Sequence, residues 1–158
     1  MINDNPISAF SKNRNESDFV TASELLSALK SDVFSSSPKE SPVVIHAAAD
    51  DGDLHLLKIV YKCGACKSLH FIAGEVNSDD VMMTEKSVIY ADCSHSPIAY
   101  ISRGELISII EKFIEHNDGN QKVDISTSDD EVSFPLTEIF KCSSGCPSVH
   151  LCSFYYED

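Results

Sequence analysis

The sequence predicts an all-α fold, a stack of short helix pairs, and three observations carry that expectation. Capping boxes at Thr21-Ala22-Ser23-Glu24 and Ser102-Arg103-Gly104-Glu105 each open an apolar helical stripe. Between them, Ile45 to Ala65 reads as two short helices joined by a tight reversal.

In chain order, residues 1–16 are polar and rich in Ser and Asn, which reads as disorder or as an address recognised by another factor. They lack the apolar core of a signal peptide. Thr21 and Glu24 then cap a helix whose Ala22, Leu25, Leu26 and Leu29 share one face. The Ser35–Pro42 segment reads as a linker, because neither Pro38 nor Pro42 can continue a helix. Residues 1–42 are therefore expected to be a polar leader with one capping helix, ahead of a helical domain over 43–158.

Within the central stretch, Ile45, Ala48 and Ala49 fall on one helical face, and the alanines allow a neighbouring backbone to approach. Gly52 suits a reversal, Asp53 suits the cap of the next helix, and Leu56, Leu57, Ile59 and Val60 supply its stripe. Lys58 and Lys62 fit its last turns, and Gly64 stops it. Further on, Leu106, Ile109, Ile110, Phe113 and Ile114 repeat at helical spacing until Asp118-Gly119.

The stretch from Ile45 resembles one repeat of the ankyrin family, whose core pattern is leucine-histidine-x-alanine-alanine-x-x-glycine, then apolar residues, then glycine-alanine. Ile45 stands for the leucine; His46, Ala48, Ala49, Gly52, Gly64 and Ala65 match, with Leu57 and Val60 at apolar places. Ser68–Ala73 and Ser96–Asn117 resemble further, shortened units, while Phe134–Tyr156 reads equally as a strand pair. The resemblance implies at least about three stacked units. It also implies that His46 and His70 hydrogen-bond loop backbone, and that a partner is gripped by the turns and first-helix faces. Asp50, Asp51, Asp53, Arg103 and Glu105 lie on such edges and are the expected partner-binding residues. The function implied is a non-enzymatic interaction module, an inhibitor or effector of a basic host or cellular protein. Short ankyrin proteins that mask Rel-type transcription factors are the analogy.

Composition supports a protein partner over a nucleic acid. Twenty-five acidic against 12 basic residues give a net charge of -13, which repels phosphate backbones and anionic membranes and favours a basic protein surface. A chain of 158 residues can bury one core. It contains no apolar run of about 18 residues to span a bilayer. The expected location is cytoplasmic, or the cytoplasm or nucleus of a host.

In such a reducing compartment the six cysteines are thiols or metal ligands. The main reading needs no cofactor. The alternative is a small α+β protein with a zinc ribbon, its ion held by Cys63, Cys66, Cys93 and His95. Cys142, Cys146, His150 and Cys152 form a second, tighter cluster in sequence. Calcium is disfavoured, because an EF-hand loop opening at Asp50 needs glutamate where Tyr61 stands. No phosphate loop, dinucleotide fingerprint, nucleophile elbow or H-E-x-x-H is present, leaving a thiol-dependent enzyme built on a Cys/His pair as the third reading.

Overall fold

The structure is a computed structural model that describes residues 6–11, 19–46, 55–74, 86–127, 134–142 and 147–153. Among them the chain forms nine strands in one mixed sheet and two α-helices, so the fold is α+β and the all-α expectation is overturned. The ankyrin resemblance falls with it. No helix pair exists over the described part of Ile45 to Ala65; the chain there is β2 (Val43–His46), β3 (His55–Lys62) and the turn after β3. Ala48, Ala49, Gly52 and the three aspartates lie outside the described residues.

The reason is burial. β3 sends Leu57 and Val60 into the main core and Ile59 and Tyr61 into a second cluster on its other face. A strand buried on both faces reads as a continuous apolar run, which over eight residues imitates a helical stripe. Ile59, Val60 and Tyr61, β-branched or aromatic, fit the pleated surface better than a helix. A β-bulge leaves Lys58 as the extra residue opposite β4 (Leu69–Ala73). Instead of closing a helix, Lys58 is buried with its ammonium donating to the carbonyls of Ser96 and Ala99.

The remaining strands are β1 (Pro6–Ser11), β5 (Val88–Asp92), β6 (Val123–Thr127), β7 (Phe134–Pro135), β8 (Glu138–Cys142) and β9 (Val149–Cys152). Across the sheet the order is β1-β8-β9-β2-β3-β4-β6-β7, with β5 also paired to β3. Two pairings, β2 with β9 and β4 with β6, are parallel. Residues 6–11, polar enough to read as disorder, form an edge strand on β8.

Both capping boxes form as the sequence predicts. In α1 (Ala22–Leu29) the Glu24 amide donates to Thr21 Oγ1 at 3.2 Å and the Thr21 amide to Glu24 Oε1 at 3.0 Å. In α2 (Arg103–His116) Ser102 and Glu105 repeat the exchange at 3.2 Å each way. The helices pack against each other, and Leu25, Leu29, Leu106, Ile110 and Phe113 join Val60, Leu69, Phe71, Val123 and Ile125 of the sheet in the main core. Phe34, Phe71 and Phe113 are the largest side chains fully buried there. Among the described residues no helix is long and apolar enough to cross a membrane.

Candidate metal centre

The turn joining β3 to β4 is tight, and its tightness gathers the ligands. The Lys67 amide donates to Cys63 O at 3.0 Å, the Cys63 amide to Ser68 O at 3.0 Å, and the Cys66 amide to Cys63 Sγ at 3.5 Å. Lys67 takes a positive φ of 64° to complete the reversal. Gly64, read from sequence as a helix stop, is a turn residue whose amide donates to Ser87 Oγ at 3.0 Å.

This turn sets Cys63 and Cys66 over the start of β4. Their sulfurs and a ring nitrogen of His70 all lie within 4.8 Å of one another, with Cys66 Sγ 3.3 Å from His70 Nε2. Cys63 and His70 are half-buried, whereas Cys66 is exposed. Around a zinc ion with Zn–S of about 2.3 Å and Zn–N of about 2.05 Å, tetrahedral geometry places such atoms roughly 3.5–3.8 Å apart, so the three residues fit the ion. Two soft thiolates and an imidazole also select zinc over hard cations.

Neighbouring strands frame the group. Tyr61 and His70 are register partners across β3 and β4, and their rings stack at 5.0 Å with 15° between planes. Asp124 is the register partner of His70 across the parallel β4–β6 pairing. Its Oδ2 stands 3.8 Å from His70 Nε2, and its Oδ1 is 3.6 Å from the ammonium of Lys122.

Burial lowers the His70 pKa below its ordinary value, against the upward pull of Asp124, and so favours the neutral, ligating imidazole. Burial likewise pushes the Asp124 carboxyl up, opposed by Lys122 and His70. The Tyr61 hydroxyl is pushed up first by burial and then by Cys63, Cys66 and Asp124.

Cys93 and His95 stand elsewhere. β5 runs antiparallel to β3 from Val88 opposite Lys62 to Asp92 opposite Ile59, which carries Cys93 to Lys58, whose carbonyl accepts from its amide at 2.9 Å. The five-residue offset along β3 between Lys58 and Cys63 corresponds to roughly 16 Å. Burial raises the Cys93 thiol pKa, with Lys58 pulling the other way. His95 lies exposed in the following turn. The structure thus joins Cys63 and Cys66 to His70. The sequence signal for that ligand was its position four residues after Cys66.

Of the second cysteine cluster, Cys146 lies outside the described residues, Cys152 is buried, and His150 is buried beside His46. His46 Nε2 and His150 Nδ1 are 2.9 Å apart, and the His150 ring stacks on Phe140 at 4.8 Å.

The chain matches no known protein family, no curated protein and no solved structure.

Among the expected partner-binding residues, Asp50, Asp51 and Asp53 lie outside the described residues. Arg103 is half-buried and forks onto backbone, Nη1 donating to Leu29 O and Nη2 to Ser37 O, each at 3.0 Å. Glu105 is exposed and caps α2 through Ser102.

Proposed function

We propose that this chain is a small metal-binding interaction protein that holds one zinc ion through Cys63, Cys66 and His70. The supporting observation is the convergence of two sulfurs and a ring nitrogen within 4.8 Å at one hairpin turn. Zinc supplies charge neutralisation and a rigid link there, and the chain supplies the thiolates, the neutral imidazole and the Tyr61 platform that fixes the ring. The partner is a protein with a basic surface, a choice supported by the net charge of -13. A reducing, cytoplasmic setting suits thiol ligands.

The test is elemental analysis of protein purified under reducing conditions and dialysed against excess zinc. One equivalent on wild type, lost in Cys63→Ser and in His70→Ala, supports the reading. A chain that takes up no zinc sinks it.

Thiol chemistry is the second reading, because 3.3 Å between Cys66 Sγ and His70 Nε2 is a nucleophile–base distance. It is the weaker one, since Asp124 approaches that same nitrogen, whereas an orienting acid belongs on the opposite ring nitrogen. Alkylation of metal-free protein separates them: if His70 activates Cys66, His70→Ala slows iodoacetamide markedly.

A further inference from the structure

Three ligands leave a tetrahedral ion one position short, and what fills that position decides whether the ion meets solvent. The geometry points to Asp124 as the fourth ligand, closing a Cys2HisAsp site in which zinc clamps the β3–β4 turn to β6. This inference rests on the zinc reading above and extends it.

The argument begins with which ring nitrogen Asp124 faces. A carboxylate that merely orients a metal-bound histidine does so through the nitrogen that does not touch the ion. Here Asp124 Oδ2, at 3.8 Å, and Cys66 Sγ, at 3.3 Å, both approach Nε2. The carboxylate is therefore on the ion's side of the ring. For bonds of about 2.05 Å to each, a tetrahedral ion holds nitrogen and oxygen roughly 3.3 Å apart, about half an ångström closer than Oδ2 and Nε2 stand, and because Asp124 lies outside the 4.8 Å group of the other three its carboxylate must also swing toward the sulfurs. Asp124 stands one step behind the three tighter ligands, and the ion is what draws it in.

Charge supports the same assignment. Asp124 is 5% exposed, and an ionised carboxylate so buried needs compensation. Lys122 supplies one positive charge at 3.6 Å from Oδ1. Two thiolates and a carboxylate around a dication leave one negative charge, which the Lys122 ammonium balances. The parallel register that sets Asp124 beside His70 also fixes it there through backbone hydrogen bonds, so coordination costs little further ordering.

A closed site of this kind is structural, since no position is left for a reactive water. It joins a local hairpin to a strand that lies beyond β5 and α2 in the chain, and metal binding becomes part of folding.

Anaerobic titration of the metal-free protein with Co2+ tests the assignment, because the near-ultraviolet charge-transfer band counts thiolates and the visible d–d bands report coordination geometry. Wild type is expected to show a two-thiolate, tetrahedral spectrum. Asp124→Ala should keep the charge-transfer band, alter the d–d bands and weaken competitive Zn2+ binding by at least about 10-fold. Asp124→Cys should raise the charge-transfer intensity by about half, as a third thiolate binds. If Asp124→Ala retains the wild-type spectrum and affinity, and Asp124→Cys adds no intensity, Asp124 is not a ligand. Should Asp124→Ala fail to fold, Asp124→Cys decides alone. A wild type that binds neither ion overturns the zinc reading itself, an outcome distinct from either variant result.

Discussion

His46 Nε2 and His150 Nδ1 stand 2.9 Å apart, within hydrogen-bond distance, with their rings stacked at 5.1 Å on parallel neighbouring strands. Burial, and secondarily the charge His46 would carry, holds His150 down to about 4. Protonating it in the fold places a cation in a buried site beside a second imidazole.

The pH dependence follows with its sign. The folded pKa lies below the unfolded value of about 6.5, so the unfolded chain binds the proton first as pH falls. The contribution is fully present above about pH 6.5, declines as pH drops toward about 4, and levels off below that, a loss of at most roughly 3 kcal/mol. Urea denaturation at stepped pH should show this slope in wild type and a flatter one in His150→Phe. A slope unchanged in the variant would assign the effect to other groups.

Arg103 is expected to matter for stability. Its guanidinium satisfies the end of α1 through Leu29 O and the following segment through Ser37 O, contacts that a lysine cannot fork across. Arg103→Ala should cost about 2–4 kcal/mol, and Arg103→Lys roughly half of that. Thermal unfolding of both measures it; an alanine variant as stable as wild type would show the fork to be idle.

Ligand identity gives a sharp contrast. Cys93→Ser and His95→Ala should leave zinc stoichiometry at the wild-type value, because β5 carries Cys93 to Lys58, five residues along β3 from Cys63, with His95 in the turn beyond. Cys66→Ser should abolish stoichiometric binding. Loss of zinc in the Cys93 variant would restore the ligand set inferred from sequence.

At Lys67 the backbone has a φ of 64°, where a side chain is disfavoured. Lys67→Gly should therefore stabilise the metal-free protein by roughly 0.5–1 kcal/mol, the relief of strain exceeding the added unfolded-state entropy. Chemical denaturation reads this directly, and a destabilised glycine variant would contradict the turn geometry.

What the sequence made legible was local. Thr21 with Glu24, and Ser102 with Glu105, need only partners three residues away, and both boxes form. Cys63 and Cys66 were likewise visible as a pair by spacing alone. Leu56 to Tyr61 imitates a helical stripe because burial on two faces erases the alternation that marks a strand, and Ile45, which opens the helical pattern in the sequence, lies in β2. His70 sits at the histidine place of a repeat, while its four-residue distance from Cys66 is the signal of a ligand. Asp124 carried no local signal at all, since only the parallel pairing of β4 with β6 brings it to His70.

The parallel pairing of β2 with β9 has a consequence for biosynthesis. His46 and His150 face each other across a separation of 104 residues, so β2 leaves the ribosome long before its partner exists. At about 5–20 residues per second the wait is roughly 5–20 s. Throughout it, Val43, Val44 and Ile45 present an apolar strand with an open hydrogen-bonding edge. Such a nascent chain is an aggregation hazard that a holdase chaperone relieves and that slower translation between β2 and β9 prolongs.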